Sequence, residues 1–159
     1  MKKLLGSLVL IGFALLSANS AFAALDSAVK QIIALKEPPP GVVFEIVSGN
    51  RAKLDTALPR VKDAIEKIRK RFPGLDIAVV SHGYEQFALS KSKQKKHEKA
   101  HKTVQSLVKD NVPVHICGTF AEMKGVDASE FPDYVDVAAH GPEQIKDYRR
   151  MGYMLVEVD

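Results

Sequence analysis

Residues 75–83 read LDIAVVSHG, and Ile77-Ala78-Val79-Val80 within them carries no polar side chain. A strand with one wet face alternates apolar and polar residues. A strand apolar on both faces must be covered on both, which is the condition of an inner strand in a parallel sheet. Parallel neighbours cannot be joined by hairpins and need crossover connections, usually helices.

The rest of the chain supplies both parts. GVVFEIVSG (41–49), NVPVHICG (111–118), YVDVAAHG (134–141) and YMLVEV (153–158) are rich in β-branched and aromatic residues and end at turn residues or a helix start, so they read as four more strands. Between the first two strands, Leu58, Val61, Ile65, Ile68 and Phe72 recur three or four apart, the spacing of an amphipathic helix. Pro59 fits only near its first turn, which places the start around Asp55 or later, and Pro73-Gly74 stops it. A second helical region is most regular near 93–109. TFAEMKG (119–125) reads as a short helix, and PEQIKDYRRMG (142–152) as one with proline at its first position. Strand and helix alternate throughout, so residues 41–159 are expected to form one three-layer α/β/α domain around a mainly parallel five-stranded sheet. Ahead of it, residues 24–40 read as a helix carrying Leu25, Val29, Ile32 and Ile33 on one face, followed by the stiff connector EPPPG.

The chain opens MKKLLGSLVLIGFALLSANSAFA. A basic start, an apolar core from Leu4 to Leu16 and the small-x-small step Ala21-Phe22-Ala23 make up a secretory signal peptide, cut after Ala23. Its apolar run is shorter than the ~20 residues that span a bilayer, and no later segment approaches that length. The expectation is an exported protein of the bacterial periplasm without a transmembrane segment. Loss of Lys2 and Lys3 with the leader takes the formal net charge from +4 to +2, too near neutral to argue for nucleic acid. No motif calls for a cofactor.

In an α/β sheet the chemistry gathers at the carboxyl ends of the strands. There the second strand ends in Ser81-His82-Gly83, the third in His115-Ile116-Cys117-Gly118, and the fourth in His140-Gly141. Cys117 is the single cysteine, so no internal disulfide can form even in an oxidising compartment. It stands just before a short helix, where unpaired N–H groups favour an anion. His115, two residues earlier, shares its strand face. Cys117, His115 and His82 are therefore the candidate catalytic residues. The alternative is a buried structural thiol.

These residues carry a resemblance. Cys117 at a strand end, Gly125-Val126, Gly152-Tyr153 before the closing MLVEV, and the strand-to-turn step at His82-Gly83 resemble the DsrE/DsrF-like family of small sulfur-relay proteins, over about residues 41–158. The resemblance implies an α/β sheet domain that assembles with copies of itself or relatives. It also implies a sulfur-accepting role, as a persulfide, for Cys117, and a sulfur donor or acceptor protein as partner. A non-enzymatic oligomeric binding module of the same fold is the other reading.

His97-Glu98-Lys99-Ala100-His101 matches H-E-x-x-H, in which two histidines one helical turn apart bind zinc and the glutamate polarises the metal-bound water. Lys91, Lys93, Lys95, Lys96, Lys99 and Lys102 surround it, and cations so near would oppose Zn²⁺. The apolar stripe Ala100, Val104, Leu107 and Val108 leaves out both histidines. His97 and His101 are thus weak metal candidates, a zinc hydrolase using His97, Glu98 and His101 is the third reading, and the segment is expected to be a solvated basic face open to an acidic partner or anionic lipid.

Overall fold

A computed structural model describes residues 17–158. Five strands, β1 (Val42–Ile46), β2 (Ile77–Ser81), β3 (Val114–Cys117), β4 (Asp136–Ala138) and β5 (Met154–Val158), form one all-parallel sheet in the order β4-β3-β2-β1-β5. The α/β/α domain expected from the alternation is the observed one. β2, which holds the wholly apolar run Ile77–Val80, lies at its centre.

Among the described residues five α-helices flank it: α1 (Ser17–Ile33), α2 (Leu54–Arg71), α3 (Glu98–Lys109), α4 (Gly118–Met123) and α5 (Gly141–Arg150). The larger core lies on the face of α1, α2 and α3. Leu25, Val29 and Ile32 of α1 join Leu58, Val61, Ile65 and Ile68 of α2 and Val104 and Leu107 of α3 over Phe44, Ile46, Val79 and Ile116. The opposite face is smaller, with Ile145 and Tyr148 of α5 packed on Val43, Ala78 and Val80. Alternation along each strand decides which face a residue serves. Val43 and Glu45, Val80 and His82, and His115 and Cys117 all belong to the α5 side.

Several boundaries move. β1 to β4 are shorter at both ends than their apolar runs suggest, and β5 is shorter at its start, because the flanking residues turn out of the sheet. α2 begins at Leu54 behind a 3₁₀ turn over Arg51–Lys53, and Pro59 sits in its second turn. The second helical region is really three pieces, two 3₁₀ segments (Tyr84–Leu89 and Lys91–Lys93) and then α3. α1 starts well before residue 25 and runs through the Ala23-Ala24 junction. Residues 1–16, most of the expected leader, lie outside the described residues. Among the described residues no helix is long and apolar enough to cross a membrane.

Candidate functional site

β3 ends at Cys117, which is also the N-cap of α4, and its Sγ accepts the Phe120 backbone N–H at 3.4 Å. The thiol is buried, with the residue 3% exposed. Next to it, β2 runs out into His82. The Cβ atoms of His82 and Cys117 lie 2.7 and 3.1 Å from the point where a side chain on Gly141 would begin. The two residues are therefore neighbours, and the first residue of α5 closes over both. Only glycine fits there, which explains the His140-Gly141 step after β4.

His82 has a partner that the sequence did not announce. Its Nε2 is 2.7 Å from Glu45 Oε1, with side chains 15% and 20% exposed. A carboxylate can only accept from this ring. Nε2 is thus the protonated nitrogen of neutral His82, and Nδ1 keeps the lone pair that can take a proton. A thiol, an imidazole and a carboxylate bonded to that imidazole thus stand at the ends of three adjacent strands, the residue types that activate a cysteine nucleophile where ring and thiol come within hydrogen-bond reach. The signal for Glu45 was present: it is the one charged residue in a strand that is otherwise apolar.

His115 is engaged elsewhere. Its Nε2 meets Tyr148 Oη at 2.8 Å and its Nδ1 lies 2.8 Å from Asp136 Oδ2. Burial lowers its pKa, only partly offset by Asp136. Burial, with Tyr153 and Asp136 nearby, pushes the Tyr148 phenol up to about 12. That phenol therefore stays protonated and donates to the imidazole. Among the described residues no hydrogen bond joins either imidazole to Sγ; His115 is held by Tyr148 and Asp136, while His82 is the one whose Cβ, with that of Cys117, lies against Gly141.

The loop after β2 braces the site. Glu85 is fully buried, accepting the Ser48 N–H at 2.6 Å, the Gly83 N–H at 2.8 Å and the Ser81 hydroxyl at 2.8 Å. One carboxylate thereby ties the exit of β1 to the exit of β2. Gly83 must be glycine, since a Cβ there would run into the Glu85 carboxylate and lie 2.8 Å from the Ser48 main chain. Gln86, also fully buried, bonds to Cys117 itself: its Oε1 accepts the Cys117 N–H at 2.9 Å and its Nε2 donates to the Cys117 carbonyl at 3.1 Å.

The expected solvated face is corrected in one respect. The lysines from Lys91 to Lys102 are exposed, but His97 and His101 are 4% and 1% exposed. They extend the inward stripe of Ala100, Val104 and Leu107 toward the start of α3, while Val108 turns outward. Neutral imidazole can be buried when its nitrogens are satisfied, and counting only apolar residues left it out. His97 Nδ1 lies 2.7 Å from Asp55 Oδ2 of α2. His101 Nε2 donates to the Ala88 carbonyl at 3.0 Å and Nδ1 meets Tyr134 Oη at 2.5 Å. Glu98 faces solvent, and its hydrogen bond with Lys102 lowers its pKa. The H-E-x-x-H residues thus point in different directions, and both His101 nitrogens are taken. Among the described residues, no three His, Cys, Asp or Glu side chains gather as a metal site.

Burial lowers the pKa of His101 as it does that of His115, with His97 adding to the effect on His101 and the Ala88 carbonyl and Asp55 opposing it. The fold therefore holds both rings neutral, whereas the unfolded chain protonates them near pH ~6.5. Their contribution to stability is fully present above that value and is lost as pH falls through the depressed native values. The urea midpoint is expected to drop between pH 7.5 and 5, with a shallower slope in His101→Gln. An unchanged slope in that variant would exclude His101 as a source.

No family model matches the sequence, and no curated protein matches it. Solved structures do. One is a protein of unknown function, MTH1491 from Methanobacterium thermoautotrophicum, with a TM-score of 0.59 and 18% identity, covering 73% of this chain and 96% of that one. Another is a conserved protein of unknown function, BT1422 from Bacteroides thetaiotaomicron, with a TM-score of 0.52 and 14% identity, covering 73% and 94%. At such identities the likeness concerns the fold.

Proposed function

We propose that this protein is an exported, DsrE-like sulfur carrier of the periplasm, working as an oligomer, which takes up sulfane sulfur on Cys117 and hands it to a partner protein. The observation that carries the reading is the setting of Cys117. It is a lone thiol at the carboxyl edge of a parallel sheet, its sulfur bonded to a helix-start N–H, beside a histidine held by a carboxylate.

The chemistry needs no cofactor. His82 takes the thiol proton through Nδ1. The Cys117 thiolate attacks the outer sulfur of a donor persulfide, so that a new S–S bond forms, the donor S–S bond breaks and the donor leaves as a thiolate with the electron pair. Cys117 now carries the persulfide. An acceptor thiolate attacks that outer sulfur in turn and regenerates the Cys117 thiolate, with no net oxidation. Burial of the thiol restrains competing oxidation, and the absence of a second cysteine prevents its discharge as an internal disulfide.

Intact-mass spectrometry before and after incubation with inorganic polysulfide tests the reading. A gain of about one sulfur mass, reversed by dithiothreitol and absent in Cys117→Ser, is expected. Equal loading of that variant would overturn it. The burial of Cys117 supports the other reading, a binding module with a structural thiol; a cysteine that resists both polysulfide and alkylation until the protein unfolds would establish that one.

A further inference from the structure

We infer that Gln86 is a positioning residue for the Cys117 thiol, standing in for a missing strand. This rests on the reading of Cys117 as the reacting group.

β3 outlasts its neighbour. β2 leaves the sheet after Ser81, which pairs with Ile116, so Cys117 has no β2 residue opposite it. The Cys117 N–H and carbonyl on that side would be left unpaired in a buried place, and a buried orphan group of either kind is costly. The Gln86 side-chain amide takes both, offering an acceptor and a donor as a peptide unit would. Its orientation is fixed by this pairing, because the N–H can only donate and the carbonyl can only accept.

The consequence reaches the sulfur. Cys117 is held extended, at φ −89° and ψ 108°, as the last residue of β3 and the cap of α4. That backbone presents Sγ to the Phe120 N–H and keeps its Cβ against Gly141 beside His82. Gln86 is itself held from both sides. Glu85 anchors the residue before it, and His101 donates to the carbonyl of Ala88 two residues on. The buried half of the H-E-x-x-H segment thus supports the loop that sets the thiol.

Two variants test this, with inorganic polysulfide as the probe and loading of Cys117 followed by intact mass. Gln86→Met keeps the length and removes both hydrogen bonds. It is expected to slow loading at least tenfold while melting cooperatively. Gln86→Glu is expected to be as slow at pH 8, where a carboxylate has no donor for the Cys117 carbonyl, and to recover relative to the native protein at pH 5, where a carboxylic acid restores donor and acceptor together. Filling space alone would give no such recovery. Native-rate loading by a folded Gln86→Met protein overturns the inference. If that variant does not fold, a Gln86→Glu ratio that stays flat between pH 8 and 5 overturns it equally. Failure of the native protein to load at all overturns the reading of Cys117 instead, and this inference with it.

Discussion

Glu85→Leu is expected to lower the unfolding free energy by about 4 kcal/mol and the melting temperature by about 10 °C. The carboxylate collects three donors in a dry place, two of them backbone N–H groups of Ser48 and Gly83 that have no other way to reach an acceptor. A hydrogen bond to a charged group is worth about 1.5–3 kcal/mol net, and an orphaned buried donor costs about 1–3. Leucine matches the volume and leaves all three donors unpaired. Glu85→Gln is the sharper comparison. One of its two ends becomes an NH₂ facing donors, so it recovers part of the loss and no more. Urea titration checks the order native, Glu85→Gln, Glu85→Leu. A leucine variant within 1 kcal/mol of native would mean that water reaches the loop when the carboxylate is gone.

The second large effect falls on the site and less on the fold. Gly141→Val places its first carbon 2.7 Å from the Cβ of His82 and 3.1 Å from that of Cys117. Those are atoms at the root of side chains on a sheet, not the tips of flexible ones, so the start of α5 has to move. Overpacking of this kind costs about 1–3 kcal/mol. Polysulfide loading of Cys117 is expected to fall at least tenfold, because the alignment of imidazole and thiol depends on the close approach of α5. Gly49→Val is the control: a Cβ at residue 49 meets nothing within 4 Å. Equal loading by both variants would show that the seat of α5 does not govern the thiol.

Most of the fold was legible because its signals are collective. The layer structure follows from the apolar run 77–80 and from helical spacing repeated over many residues, and no single residue decides it. The site depends on single residues, and its legibility was uneven. Cys117 and His82 could be found because cysteine and histidine at strand ends are uncommon. Glu45 carried a signal that was passed over, the one charge in an apolar strand, but Glu85 and Gln86 could not be picked out, since a polar residue near a turn is ordinary until its burial is known. Glu85 and Gln86 sit in the 3₁₀ segment Tyr84–Leu89, which the spacing merged into one helical region, and both are fully buried. His97 and His101 failed for a related reason. Their spacing was noticed but their hydropathy was misjudged, because imidazole is as much at home in a core as at the surface once its nitrogens are paired.

The strand order has a bearing on how the chain assembles. β1 is complete early, but the partner on its outer side is β5, more than a hundred residues further along. A ribosome adding about 5–20 residues per second takes several seconds to cover that distance. For all of that time Val42, Phe44 and their neighbours present an unsatisfied sheet margin to whatever else is present. Contacts so remote in sequence also slow the search for the native arrangement. Export of the unfolded chain, one route for a protein proposed to be exported, would hold that margin open across a membrane as well, with more reliance on holding factors in transit than its modest size suggests.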